Sequence, residues 1–133
     1  MEIISAIREA AGEGFPLLLR LGACDYLEGG VTISDSKLAA KEFEDAGVDM
    51  LDISGGFCGF NVPGVKEPGY FSPLSKAIKE VVAIPVMVTG GITKPEIAEE
   101  ILRKGNADLI GVGRAIYKDS NWAKNAMESS ASK

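Results

Sequence analysis

Two glycine-bearing stretches carry the residue types that hold phosphate. Gly90-Gly91 follow the apolar run "IPVMVT", and Gly113-Arg114 follow "ADLIGV". Without a Cβ, backbone N–H groups can approach an anion closely and point at it. An arginine adds a permanent charge in a planar fork that matches phosphate oxygens. A turn would account for the glycines of either stretch alone, but both stretches with an arginine favour an anion. A third candidate is Arg20, at the outgoing end of "FPLLLR". By itself it reads equally as a surface arginine just past a strand. Ser54, Gly55 and Gly56 close "VDMLDI" in a similar way. "GVGRAI" is not a dinucleotide fingerprint, because the third glycine is missing and the stretch closes the last strand.

Other chemistries are excluded by composition. Histidine is absent, which removes histidine triads, histidine metal sites and histidine bases. Cys24 and Cys58 lack CxxC spacing and read as free thiols in a reducing cytoplasm, not as a metal site. The net charge of −5 argues against general nucleic-acid or anionic-membrane binding. No apolar run is long enough to span a bilayer, and "MEIISAIREAAGEGF" lacks the basic start and apolar middle of a signal peptide.

These residues must be positioned by alternating strands and helices. Ile3, Ile4, Ile7 and Ala11 share one helical face. "FPLLLRL", "VDMLDI", "IPVMV" and "ADLIGVG" read as four strands. Between them, "TISDSKLAAKEFEDAG" has a capping box at Thr32 and Asp35 and a terminal Gly47. A second helix begins at Ser72-Pro73 and buries Leu74, Ala77, Ile78 and Val81. A third, "TKPEIAEEILRKG", pairs Thr93 with Glu96 as a capping box and stops at Gly105. "SNWAKNAMES" is a short last helix, with Trp122 as a packing anchor, and "SASK" is expected to fray. The long segment "FCGFNVPGVKEPGYF" is the main irregular loop. Asp49 and Asp108 open strands and read as boundary residues on the far rim.

Two strand–helix–strand halves resemble each other loosely: in each, a proline opens a strand, a threonine caps a helix and glycines close the next strand. Such units give parallel strands with helical crossovers, either in an open sheet or in a (β/α)8 barrel. Both place ligands at the C-terminal strand ends. A complete barrel takes about 250 residues, and only four strands can be drawn in 133. An α/β half-barrel with two open sheet edges fits the length as well as an open sheet does. A half-barrel predicts pairing with a missing half or with a second copy.

The residues carry a resemblance. "FPLLLRLGACDYLEGGVT", "FEDAGVDMLDISGG", "PGYFSPLSKAIKEVVAIPVMVTGGIT" and "AEEILRKGNADLIGVGRAIYKDSNWAKNA" resemble, in order, the Old Yellow Enzyme family. These are FMN-dependent NADH:flavin oxidoreductases, including 2,4-dienoyl-CoA-reductase-like members. The likeness covers strands five to eight of the family's TIM barrel. It implies that Arg20 contacts the flavin pyrimidine, that Ser54 and Gly55 face the cofactor, and that Gly90, Gly91, Gly113 and Arg114 hold its phosphate. The family's histidine-containing substrate anchor, proton-donating tyrosine and first-strand flavin contacts belong to the other half, so no catalytic residue is assigned. Some members add an iron–sulfur segment after the barrel, and this sequence stops before that point.

The expected function is therefore one half of an enzyme that passes hydride from NADH or NADPH through FMN to an activated alkene or similar small-molecule acceptor, inactive alone. A phosphate-binding barrel isomerase or aldolase is the alternative, as is a non-catalytic half-barrel that homodimerises.

Overall fold

The computed structural model describes residues 1–59 and 61–131. Its order is α1 (Glu2–Ala11), β1 (Leu18–Gly22), α2 (Ile33–Asp45), β2 (Met50–Ser54), α3 (Ser72–Lys79), β3 (Val86–Thr89), α4 (Pro95–Arg103), β4 (Leu109–Gly111), α5 (Arg114–Lys118) and α6 (Trp122–Ala131). The four strands form one parallel sheet in sequence order. That is the arrangement of a run of consecutive strands in a (β/α) barrel.

The helices cover one face of the sheet. Leu51, Ile53, Val86 and Val88 point to that face and are fully buried, together with Ile78 of α3. Burying each such side chain contributes about 1.5–3 kcal/mol. The alternate residues point the other way. Leu18 is 53% exposed and Leu109 40%, and Met50, Asp52, Met87 and Thr89 are half-buried. The expected burial of the strands on both sides is therefore met on the helix side alone.

Asp49 and Asp108 do more than mark boundaries. The Leu17 N–H donates to Asp49 Oδ2 at 2.7 Å, and the Asp49 N–H returns a bond to Leu17 O at 2.8 Å. The Val86 N–H donates to Asp108 Oδ2 at 2.9 Å, and the Asp108 N–H returns one to Val86 O at 2.7 Å. The same latch thus closes β1 on β2 and β3 on β4, giving the loose sequence repeat a physical form. Each aspartate also meets a cation, Arg8 and Lys79 respectively. The Leu17 N–H and Arg8 hold the Asp49 carboxyl below the usual carboxylate range. For Asp108, burial works in the opposite direction, but Lys79 and the Val86 N–H outweigh it and the net shift is downward.

Helix ends follow the sequence in part. Thr32 and Asp35 form the capping box expected of them. Thr93 and Glu96 do not: α4 starts at Pro95 with Lys94 as its uncapped N-cap. Proline fits the first turn better than the interior, so it sets the start one residue later than a threonine cap requires. Ser72 lies inside α3, after Phe71 as N-cap. On α1 only Ile4 is buried, and Ile3 and Ile7 are exposed. The short helix α5 follows β4, in a stretch to which the sequence pattern assigned no element. Residues 130 and 131 continue α6 instead of fraying; 132 and 133 lie outside the described residues.

Candidate functional site

The C-terminal strand ends form one rim. A cleft of about 820 Å³ there is lined by Arg20, Ser54, Gly55, Gly90, Gly91, Gly113 and Arg114 together. All seven residues singled out from the sequence therefore meet in one place, supplied by the ends of all four strands.

The glycines have different reasons for being glycine. The Phe71 ring, 2% exposed, sits between the loops after β2 and β3. A Cβ on Gly55 would come within 2.5 Å of Phe71 Cζ, and one on Gly90 within 2.8 Å of Phe71 Cε2. A Cβ on Gly91 would overlap the Tyr70 ring, 2.7 Å from Cδ1. Gly90 and Gly91 also have φ of 151° and 64°, which disfavour side chains. Packing against Tyr70 and Phe71, whose rings meet edge to face at 4.7 Å, therefore accounts for these three glycines without a ligand. Gly113 is different. Its φ is −113°, and a Cβ there would meet nothing within 4 Å.

Each of the two arginines is held by a neighbouring side chain. Arg20 Nη1 donates to Asp52 Oδ2 at 2.8 Å, and Thr89 Oγ1 donates to Asp52 Oδ1 at 2.7 Å. Gly111 makes room for this row, since a Cβ there would overlap Thr89. The β1–β2 register sets Asp52 directly opposite Arg20. Arg114 Nη2 donates to the Tyr70 hydroxyl at 2.9 Å. Trp122 is an anchor as expected, its Nε1 donating to Thr93 O at 2.9 Å behind the β3 loop.

Asp25 was not anticipated. It is 5% exposed and ties the β1 loop to the β2 loop. Its Oδ2 accepts the Val31 N–H at 2.7 Å and its Oδ1 the Phe57 N–H at 2.8 Å. Nearby, burial pushes the Cys58 thiol upward, and Cys24 and Asp25 add to the shift. A thiol so shifted is protonated at neutral pH and is a poor nucleophile. Both cysteines are free, and no metal-holding group of three or more acidic or cysteine side chains occurs among the described residues. No described helix is long and apolar enough to cross a membrane.

The sequence profile of the NADH:flavin oxidoreductase / NADH oxidase family matches residues 1–132. The chain belongs to that family. An NADH oxidase from Thermoanaerobacter brockii is 41% identical over 96% of this chain, which spans 20% of that protein. An NADPH dehydrogenase from Geobacillus thermodenitrificans is 37% identical over 91% of this chain and 35% of its own length. The chain thus spans about a fifth to a third of these relatives. Among solved structures, a 2-naphthoyl-CoA reductase complex superposes with a TM-score of 0.86 at 28% identity, covering 96% of this chain and 20% of that one. Morphinone reductase, at 17% identity and a TM-score of 0.68 over 96% of this chain and 33% of its own, agrees in fold. Membership bears out the Old Yellow Enzyme resemblance, the oxidoreductase class and the partial barrel. It also favours redox chemistry over an isomerase or aldolase, and the family as a whole uses flavin and NAD(P)H.

Proposed function

We propose that this chain is the strand-five-to-eight half of an FMN-dependent oxidoreductase and that its rim cleft holds the flavin. The carrying observation is the convergence of the seven residues on one cleft whose charged lining residues are all cations. Its volume falls within the range of cofactor sites, about 300–1,000 Å³. Open space at Gly113 fits close backbone approach by a phosphate. The loops after the last two strands, with a short following helix, are where barrels commonly bind phosphate.

In this reading Gly90, Gly91, Gly113 and Arg114 grip the phosphate. Arg20, aimed by Asp52, faces the pyrimidine side and stabilises negative charge there. Ser54 and Gly55 line the wall. The flavin, when bound, takes hydride from NADH or NADPH and delivers it to an activated alkene or a similar small-molecule acceptor. No side chain here is assigned a proton transfer, and the isolated chain is inactive. Its place is the cytoplasm, in keeping with its free thiols.

The half-exposed face bearing Leu18 and Leu109 supports a partner that covers it: the remaining barrel half or a second copy. Light scattering distinguishes a dimer from a monomer.

The test is titration of the purified chain with FMN, followed by flavin fluorescence, with alkene reduction assayed in parallel. Saturable binding that R114A weakens at least tenfold supports the reading. Binding indifferent to R114A and R20A overturns the site, and alkene reduction by the isolated chain overturns the claim of inactivity.

A further inference from the structure

The two arginines of the cleft are held in different ways. Arg20 donates to the carboxylate of Asp52, which offsets part of its charge. Arg114 Nη2 donates instead to the Tyr70 hydroxyl, at 2.9 Å. A hydroxyl orients a guanidinium without offsetting its charge. Tyr70 and Arg114 come from different segments, the long loop before α3 and the start of α5, and both line the cleft.

Tyr70 is itself fixed from several sides. Its ring fills the space that Gly91 leaves, since a Cβ on Gly91 would lie 2.7 Å from Cδ1. It meets the buried Phe71 ring edge to face, with centroids 4.7 Å apart. The backbone beside it is tied to the loop after β3, where the Gly69 N–H donates to Gly91 O at 3.3 Å. Arg114 stands in more open surroundings. It opens α5 directly after Gly113, where a Cβ would meet nothing within 4 Å. A long arginine side chain carries much rotamer entropy, which binding must remove unless the group is already held in place.

We propose that Tyr70 is the positioning residue for Arg114, holding the guanidinium preorganised at the corner where a ligand's phosphate lands. The inference rests on the flavin reading for the identity of that ligand; the hold on Arg114 does not depend on it. A planar guanidinium fixed at Nη2 presents its fork in one orientation, as bidentate contact with phosphate oxygens requires. Gly91 then acts at one remove as well: by lacking a side chain it seats the ring whose hydroxyl aims the arginine.

The test uses the full chain and the variants Y70F, R114A and Y70F/R114A. FMN and riboflavin, which differ by the phosphate, are the probes in fluorescence titrations. Y70F keeps the ring and removes only the hydroxyl, so its Tm stays within about 2 °C of wild type. It weakens FMN at least fivefold and riboflavin less than twofold. In the R114A background the same change weakens FMN less than twofold, because the group it aims is gone. Nitrogen-15 relaxation reads the hold with no ligand present: the order parameter of Arg114 Nε falls in Y70F. An order parameter that Y70F leaves unchanged overturns the proposal. Equal weakening of FMN and riboflavin, or equal weakening with and without Arg114, also overturns it, because either result places Tyr70 on the ligand itself. Loss of FMN binding in R114A but not in Y70F overturns the positioning role and leaves the flavin reading standing. A Y70F-dependent order parameter in a chain that does not bind FMN upholds the hold on Arg114 and rejects the flavin reading.

Discussion

Gly90 and Gly113 offer a sharp test, because the structure gives them opposite reasons for being glycine. In G90A the new methyl enters the Phe71 ring at a φ of 151°. Overpacking costs about 1–3 kcal/mol, and a forced backbone conformation a similar amount. Unfolding entropy scales at about 2.1 cal/mol/K per residue, so each kcal/mol moves Tm by roughly 3–4 °C at this chain length. The two costs together come to about 2–6 kcal/mol, so G90A should lower Tm by roughly 7–21 °C, with any loss of flavin binding following from loss of structure. In G113A the methyl meets nothing within 4 Å at an allowed φ. Its stability change should stay within about 0.5 kcal/mol, or roughly 2 °C. FMN affinity should nevertheless fall at least tenfold, because the methyl stands where the phosphate approaches. Differential scanning fluorimetry and fluorescence titration of both variants measure the two effects. Equal destabilisation by G90A and G113A would refute the packing account. A G113A variant that is stable and binds FMN normally would refute the phosphate corner.

Other outcomes follow from the same geometry. D25A removes the acceptor of the Val31 and Phe57 N–H groups, and a chemical denaturation curve should show a loss of about 2–3 kcal/mol. D52A breaks a half-exposed ion pair, so stability should change by less than about 1 kcal/mol, while flavin affinity falls severalfold because Arg20 is no longer aimed; an unchanged affinity counts against that role. Asp108 has a folded pKa below its unfolded value, so its stabilisation is present above the unfolded pKa and is lost as pH falls through the folded one. D108N should be less stable than wild type at pH 7, with the gap closing below about pH 4; a gap constant with pH would show that the carboxylate charge contributes nothing.

The strand order, the rim and the placement of the seven candidate residues along it were legible because they depend on short-range pattern. Apolar runs closed by glycine mark strand ends, and parallel crossovers then bring those ends to one side. Asp25 was not legible, because its value lies in two N–H groups from segments 6 and 32 residues away. The wedge at Phe71 was hidden for a similar reason: an aromatic in a loop looks the same whether it faces solvent or fills the space two glycines leave. For the same reason the sequence alone did not separate two roles for Gly90 and Gly91, since an anion site and a tight ring contact both demand a missing side chain. The Thr93 cap failed because the proline two residues on competed for the helix start. Ile3 and Ile7 share a helical face with Ile4 yet are exposed, because periodicity reports that a helix has an apolar face, not that this chain covers it.

The Phe71 ring also has a kinetic consequence. One side chain is the common neighbour of the loops after β2 and β3, so neither loop can swing outward without disturbing the ring that the other rests on. Their opening is a single concerted event. Amide exchange at Gly55 and at Gly90 should therefore run at a matched rate, and F71A should quicken both together while leaving the loop after β4 at its original pace.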